Sequence, residues 1–197
     1  MYNRYNDGWI EVITGCMFAG KTEEFIRRII RLQYAHRKVL VFKPTIDIRY
    51  CTTKVVTHKG VSVQAIMIDR NQPETMLEIL AKKENKDVVT VAVDEVQFFH
   101  KNIVEILDQL ANNNKQVIVA GLDQDFRAEP FEVMCAILPR AEFVTKLDAI
   151  CVVCGAAATR TQRIINGREA SYNDPIIEIG AQEKYEARCR KHHKVLK

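Results

Sequence analysis

The feature that most constrains this chain is an octapeptide, GCMFAGKT at residues 15–22, that lies between two different local patterns. The apolar run before it, WIEVIT, has the length and composition of a buried strand, and residues Glu23 to Tyr34 after it have a helical pattern. The octapeptide fits G-x-x-x-x-G-K-[ST], in which backbone N–H groups turn inward around phosphate oxygens. A tight turn with an incidental lysine is the alternative, but a strand before the motif and a helix after it favour a phosphate site.

Several positions of this loop have a distinct physical role in that interpretation. Glycine is needed where a Cβ would clash or where φ is positive. The helix N-terminus adds partial positive charge, Lys21 can reach the β- and γ-phosphates, and the hydroxyl of Thr22 suits a magnesium ion that bridges them. The loop residues predicted to surround the phosphates are Gly15, Cys16, Met17, Phe18, Ala19, Gly20, Lys21 and Thr22.

Strand-like and helix-like patterns alternate along most of the chain. The apolar runs of strand length are at 9–14, 38–42, 61–66, 88–93, 117–120 and 142–147, and the clearest helical face has Ile103, Val104, Leu107, Leu110 and Ala111. This alternation predicts an α/β fold of the P-loop, RecA-like type, with a mostly parallel sheet flanked by helices. We expect the main domain at residues 1–147. Residues 148–197, where cysteines occur in pairs and GREASYNDP has the composition of a mobile loop, are expected to form a small second domain.

Composition restricts the classes of partner. With 197 residues, 47% of them hydrophobic, the chain can bury one full core and a small appendage. The 29 basic and 25 acidic side chains are spread along the sequence, so nucleic acid is not indicated as a partner. Neither a secretory signal nor a membrane-length apolar run is evident, so we expect a cytoplasmic protein without a membrane partner. Its six cysteines then indicate free thiols or metal ligands.

Two carboxylates follow the strand-like run VVTVAV. Asp94 and Glu95 should project at the sheet edge where the phosphates lie, because ligands of parallel sheets gather at the carboxyl ends of the strands. In phosphoryl transfer one acid holds magnesium, directly or through water, and a second group orients or deprotonates the nucleophile. We assign magnesium to Asp94 and the base to Glu95. The alternative is a pair of solvated acids that only end a strand.

The cysteine spacing predicts a zinc site. Cys151 and Cys154 are separated by two residues, as are Cys189 and His192 farther along the chain. Three thiolates and one imidazole form a closed tetrahedral set, which is typical of structural rather than catalytic zinc. Ordinary buried thiols are the alternative, but the same spacing at both ends favours the metal.

The glycine loop, the sequence DEVQFF at 94–99 and the cysteine pairs together resemble the thymidine kinases of the cytosolic, zinc-containing type, over about residues 8–192. The resemblance implies transfer of phosphate from ATP, with magnesium, to the 5′-hydroxyl of thymidine or deoxyuridine, with Glu95 as the base. It also implies a homotetramer and one structural zinc ion per chain. That family usually has cysteine at the last ligand position, so His192 departs from the pattern and His193 is a second candidate.

The resemblance also implies the nucleoside site. The segment between the cysteine pairs resembles the family's lasso loop, which covers the nucleoside, and its implied pyrimidine-binding backbone is Ile176, Ile177, Glu178, Ile179 and Gly180. Thr161 and Tyr185 would lie nearby. The implied apolar pocket positions, each of which could equally be ordinary core, are Met17, Phe98, Leu122, Phe126 and Phe131. Residues 43–50 resemble the K-x-x-x-D-x-R-Y stretch, in which Arg49 contacts phosphate and Asp47 lies near the hydroxyl or magnesium; a solvated loop of mixed charge is the alternative.

Two other classes of function remain open from the sequence. One is a P-loop ATPase that acts on nucleic acid and uses the zinc site as a binding knuckle, although the modest charge and the lack of an aromatic and basic strip count against it. The other is a zinc-containing nucleotide-binding module without catalysis, which Glu95 argues against.

Overall fold

Six parallel strands form the central sheet of the protein. The structure is a computed structural model that describes residues 7–45, 53–57, 60–176 and 183–197. The sheet order is β5-β2-β6-β7-β1-β8, and every neighbouring pair is parallel. Its strands are β1 (Trp9–Gly15), β2 (Val39–Thr45), β5 (Ile66–Asp69), β6 (Thr90–Val93), β7 (Gln116–Gly121) and β8 (Phe143–Leu147). The predicted α/β class and mostly parallel sheet are confirmed.

Helices cover both faces of this sheet. They are α1 (Lys21–Tyr34), α2 (Thr75–Ala81), α3 (Ile103–Asn112) and α4 (Glu132–Ile137), with short 3₁₀ turns at Lys83–Asn85, Val96–Phe98 and Leu138–Arg140. Along β7, Val117 and Val119 pack into the core with α3, whereas Ile118 and Ala120 pack into the core with α1. The strand is therefore buried on both sides, and this is why it is a continuous apolar run in the sequence.

Helix α1 is fixed to the sheet by a buried ion pair as well as by apolar packing. The carboxylate of Glu11 accepts hydrogen bonds from Trp9 Nε1 at 2.7 Å and Gln116 Nε2 at 2.8 Å, and Arg28 Nη1 of α1 donates to it at 2.9 Å. Because Glu11 is only 2% exposed, removing one partner would leave a buried charge and cost about 3–5 kcal/mol. The pair holds the helix whose first turn carries the glycine-loop lysine.

The run expected as one strand at 61–66 is divided in the structure. Strand β4 (Ser62–Gln64) pairs antiparallel with β3 (Lys54–Val56), and only the residues from Ile66 onward join the central sheet, beside β2. The alternation of β4, with Val63 buried between two exposed polar residues, suits a hairpin with one buried face.

Beyond Leu147 the chain forms small antiparallel pieces that the weak periodicity did not predict. They are β9 (Ala149–Ile150), β10 (Ala157–Ala158), β11 (Arg160–Ile165), β12 (Arg168–Glu169) and β13 (Glu183–Arg188). Strands β9 and β10 pair with each other, and β11 pairs with both β12 and β13. The two long strands thus form the two sides of the segment expected as a lasso.

Candidate active site and metal centre

The glycine loop leaves β1 and enters α1 as the motif predicts, and its two glycines are needed for different reasons. A Cβ on Gly15 would lie 2.3 Å from the carbonyl oxygen of Leu147, so this position has no room for a side chain. Gly20 has open space around it but a φ of 81°, which side chains disfavour. The helix starts at Lys21 rather than at Glu23, so Lys21 and Thr22 both belong to its first turn.

Lys21 lies inside this loop and beside the acidic pair. Its Nζ donates to the carbonyl oxygen of Cys16 at 2.8 Å. Burial lowers the pKa of Lys21 below its ordinary value, and the nearby charges of Glu95 and Asp94 oppose that shift. A partly buried ammonium in a glycine loop at the start of a helix is suited to a polyphosphate.

Asp94 and Glu95 follow β6, two positions from β1 in the sheet, and have different environments. Asp94 is 5% exposed, and its burial, together with the charge of Glu95, raises its pKa to about 7. Glu95 is half-buried, lines the cleft described below, and has a φ of 51° in the left-handed region. A non-glycine residue with that backbone is often found at functional sites, where the surrounding structure holds it in place.

One cleft of about 560 Å³ collects most of the predicted site residues. The predicted residues that line it are Met17, Phe18, Gly20, Lys21, Thr22, Glu95, Phe98, Leu122, Phe126, Phe131, Thr161, Ile176 and Tyr185. Gly15, Cys16, Ala19 and Asp94 do not line it and belong to the buried loop and strand end behind it. Asp47, Arg49, Ile177, Glu178, Ile179 and Gly180 lie outside the described residues.

The cleft also contains residues to which the sequence interpretation gave no role: Glu23, Lys43, Gln124 and Asp125. Lys43 is in β2, and Gln124 and Asp125 follow β7. Glu23 lies in the first turn of α1. The block GLDQDF at 121–126, which follows an apolar run, was the available sequence signal for Gln124 and Asp125.

The aromatic residues predicted for the pocket line the cleft and also pack towards the core. Phe98 and Phe131 meet edge to face with ring centroids 5.9 Å apart, and Phe131 also packs against the core on the α3 side of the sheet. Phe126 is 4% exposed. The alternatives of pocket and core are therefore not exclusive here, because these rings form the boundary between the two.

Two arginines connect Phe126 with the chain that leads towards residue 176. The guanidinium carbons of Arg127 and Arg163 lie 5.2 and 5.1 Å from the centroid of the Phe126 ring. Arg127 Nη2 donates to the carbonyl oxygen of Asp174 at 2.7 Å, and Arg163 Nη1 donates to that of Pro175. Since Arg163 is fully buried, these contacts fix residues 174–175 against the aromatic wall of the cleft.

The predicted zinc ligands form one cluster. The ligand atoms of Cys151, Cys154, Cys189 and His192 all lie within 4.8 Å of one another. Cys154 Sγ is 3.8 Å from Cys189 Sγ, and His192 Nδ1 is 3.8 and 3.2 Å from the sulfurs of Cys151 and Cys189. A tetrahedral zinc ion with Zn–S of about 2.3 Å and Zn–N of about 2.0 Å separates its ligands by about 3.5–3.8 Å, so the cluster fits zinc.

His192, not His193, completes this cluster. The Nε2 of His193 lies 2.8 Å from the carbonyl oxygen of Phe126, to which it donates, so that imidazole is already engaged elsewhere. Although burial by itself raises the pKa of the Cys151 thiol, hydrogen bonds from the backbone N–H groups of Cys189 and Val153 lower it to about 5. The thiolate is the form that binds metal.

The zinc cluster and the glycine loop share a small apolar core. Cys16 packs in it with Cys151, Ala149, Ala158 and Ala187. The thiol of Cys16 also lies 3.2 Å from the carbonyl oxygen of Ala158, to which it donates. The sequence interpretation gave Cys16 only a place in the phosphate loop, whereas its side chain joins that loop to the C-terminal segment.

These observations define the class of the chain. A parallel sheet carries a glycine loop with a partly buried lysine, two acids follow a nearby strand, and the C-terminal segment holds a Cys₃His cluster that fits zinc, which is the arrangement of a P-loop-like α/β protein with a candidate metal centre. None of the helices in the described parts of the chain is both long and apolar enough to cross a membrane.

The comparison with known proteins identifies the family. The family model described as thymidine kinase matches residues 8–193, so the chain belongs to the thymidine kinase family. This confirms the resemblance noted in the sequence.

Two solved structures of other proteins are more distantly similar to this chain. Domain III of the replication initiation protein DnaA from Thermotoga maritima is 16% identical, with a TM-score of 0.41, over 75% of this chain and 57% of that chain. Pif1 helicase from Candida albicans is 14% identical, with a TM-score of 0.40, over 71% and 36%. The chain therefore spans little more than half of the first and about a third of the second.

Proposed function

We propose that this protein transfers the γ-phosphoryl group of ATP to the 5′-hydroxyl of thymidine, and of deoxyuridine, and so forms the monophosphate and ADP in nucleotide salvage. The observation that carries the proposal is the single cleft in which Lys21 and Thr22 of the glycine loop face the same space as Glu95 and a set of aromatic side chains. Membership of the thymidine kinase family supports the same reaction.

The phosphate end of the site would neutralise the triphosphate. In this proposal the N–H groups of the loop and the ammonium of Lys21 bind the phosphate oxygens, and Lys21 exchanges its bond to Cys16 for one to phosphate. Thr22 and Asp94, the latter directly or through water, would hold the magnesium ion that accompanies ATP, which screens the charge of the phosphates. Arg49 would add a second cation, and this role stays a prediction.

The base in this proposal is Glu95. A primary hydroxyl is a weak nucleophile, and a carboxylate within hydrogen-bond reach can accept its proton as the bond to phosphorus forms. Asp94, whose pKa is raised to about 7 by burial, is less suited to that role because it does not line the cleft. The two acids thus have separate proposed functions.

The nucleoside end would be closed by the C-terminal segment. In this proposal Phe98, Phe126 and Phe131 supply apolar surface for the pyrimidine, and Thr161 and Tyr185, which also line the cleft, lie near it. The backbone of residues 176–180 is proposed to hydrogen-bond the base edge. Fixed donors and acceptors would leave a purine's groups unpaired, at a cost of about 1–3 kcal/mol for each group. In this proposal residues 1–147 therefore carry out phosphate transfer and residues 148–197 cover the nucleoside.

The zinc ion has a structural role in this proposal. With four protein ligands no position is left for water, so the ion would order the base of the nucleoside-covering segment rather than react. Its ligation could contribute roughly 10 kcal/mol to ordering this segment. A homotetramer remains a proposal from the family resemblance.

One assay tests the function. Purified protein is incubated with ATP and magnesium and, in parallel, with thymidine or single-stranded DNA, and the products are separated. The proposal predicts thymidine monophosphate and ADP in equal amounts, and ADP release that depends on thymidine. DNA-stimulated release of ADP without thymidine monophosphate would instead support an ATPase that acts on nucleic acid.

A further inference from the structure

Gln97 joins the proposed base to the neighbouring strand of the sheet. Its Nε2 donates to Oε2 of Glu95 at 2.6 Å, and its Oε1 accepts the backbone N–H of Leu122 at 3.1 Å. The side chain is 5% exposed, so both contacts are shielded from water. Gln97 lies in the DEVQFF sequence but does not line the cleft.

The two contacts fix which way the amide points. A backbone N–H can only donate and a carboxylate can only accept, so one orientation of the Gln97 amide satisfies both partners. The reversed orientation would place carbonyl against carboxylate and NH₂ against N–H. Leu122, which follows β7, therefore determines that the NH₂ group of Gln97 faces Glu95.

Gly121 provides the space for this contact. A Cβ at that position would lie 2.6 Å from Oε1 of Gln97 and 2.9 Å from Cγ1 of Val96. Gly121 is in β7 and does not have a positive φ, so its backbone conformation does not demand glycine. Its small size is what leaves room for the Gln97 amide beside the carboxyl end of β7.

The backbone of Glu95 has an unusual, left-handed conformation. With φ at 51°, Glu95 is the residue before the 3₁₀ turn Val96–Phe98, and its carboxylate lies within hydrogen-bond distance of the Gln97 amide. Gln97 is the hydrogen-bond donor that the described residues provide to the Glu95 side chain, and it engages Oε2. The other oxygen, Oε1, accepts no hydrogen bond from the described part of the chain and is then the one available to a hydroxyl in the cleft.

We propose that Gln97 is a positioning residue that holds the Glu95 carboxylate for proton transfer, and that Gly121 is the residue whose small size permits it. The inference rests on the proposed function, in which Glu95 is the base for the 5′-hydroxyl. A carboxylate that is free to rotate spends less time in the reactive geometry, and a displacement of about 1 Å can cost on the order of 10²-fold in rate.

The test is a set of variants measured with ATP and thymidine. We expect Q97M, which keeps the length of the side chain but removes the amide, to lower kcat about 10- to 100-fold while both KM values stay within about twofold. G121A should reproduce this pattern, and the Q97M/G121A double variant should be no slower than Q97M. The matched control is Q109M, which alters an exposed glutamine on α3 and should behave as the wild type.

A second comparison shows whether Gln97 acts through Glu95. In an E95Q background, adding Q97M should cause no further loss of kcat, because the group that Gln97 positions is already gone. A near-normal kcat for Q97M with an inactive E95Q would overturn this inference and leave the proposed base intact. A further loss of kcat in the E95Q/Q97M variant, or a rise in KM for ATP that matches the loss in kcat, would also overturn it. Near-normal turnover by E95Q would remove the proposed base itself.

Discussion

The backbone N–H of Met17 donates to Oγ1 of Thr161 at 3.1 Å, and this bond joins the glycine loop to the first of the two long C-terminal strands. Both residues also line the cleft, so the bond lies between the proposed phosphate and nucleoside ends of the site. Together with the Cys16 contact to Ala158, it means that the loop depends on residues about 140 positions away in the sequence. The proposed sites for the two substrates are therefore joined by direct contacts.

Removing this bond should affect both substrates. We expect T161V to raise KM for ATP as well as for thymidine, by about tenfold, because the half-buried N–H of Met17 loses its partner and the full cost of an unsatisfied buried N–H is about 1–3 kcal/mol. T161S keeps the hydroxyl and should retain most of the activity. Initial rates over a grid of both substrate concentrations measure the two constants, and a change confined to thymidine would show that Thr161 contacts only the nucleoside.

Loss of zinc should also perturb the glycine loop, because the loop contacts the C-terminal segment that holds the metal. We expect C154S to bind less than one zinc ion per chain, to unfold at a lower temperature and to bind ATP more weakly, since Cys16 packs with two of the ligands, Cys151 and Cys189. Metal analysis, thermal unfolding and binding of a non-hydrolysable ATP analogue measure the three effects.

The control for this experiment is C135S, which changes an exposed cysteine on α4 outside the cluster. It should keep zinc, unfolding temperature and ATP affinity. A zinc-free C154S with wild-type affinity for the ATP analogue would show that the metal orders only the C-terminal segment.

The arginines around Phe126 should influence the nucleoside rather than ATP. We expect R163M to raise KM for thymidine at least tenfold, because the carbonyl of Pro175 loses the donor that the buried Arg163 provides and the start of the covering segment is released. KM for ATP should change by less than about threefold. R163K should recover part of the loss, and R27M on the exposed face of α1 serves as the control. Equal rises in both KM values would indicate general disruption instead.

The sequence predicted those parts of the molecule that depend on local pattern. The glycine loop, the buried strands and helices α1 and α3 follow from the alternation of apolar residues and the positions of Gly15 and Gly20. The end of the central sheet at Leu147 coincides with the loss of that alternation. Strands β9 to β13 were not predicted, because β9, β10 and β12 have only two residues each and because the strands pair with partners at different distances along the chain.

The sequence predicted the site residues that belong to short motifs with a recognisable spacing. The x₂ spacing predicted the metal cluster, but spacing alone does not decide between the adjacent residues His192 and His193. The side chain of His192 joins the cluster, whereas that of His193 contacts the carbonyl oxygen of Phe126. The places of Lys43 and Asp125 in the cleft, and the contact between Gln97 and Leu122, depend on which strands are neighbours. That order places β6 beside β7, and no local pattern in the chain contains it.

Asp94 should make the stability of the protein depend on pH when magnesium and nucleotide are absent. Its pKa is raised from 3.8 to about 7 in the folded state by burial and by the charge of Glu95. A raised carboxyl pKa means that the folded state binds the proton more tightly than the unfolded state. The stabilisation is therefore complete below pH 3.8 and is lost as the pH rises through about 7.

The variant that isolates this effect is D94N, which cannot ionise. We expect the unfolding free energy of D94N to exceed that of the wild type increasingly between pH 5 and pH 8, by on the order of a few kcal/mol at the upper end, while phosphotransfer is lost. Denaturant unfolding at several pH values measures the difference, with D108N, on the partly exposed side of α3, as the control. Parallel curves for wild type and D94N would contradict the burial of an ionised Asp94, whereas diverging curves would show that the folded protein tolerates an unfavourable charge at the position proposed to bind magnesium.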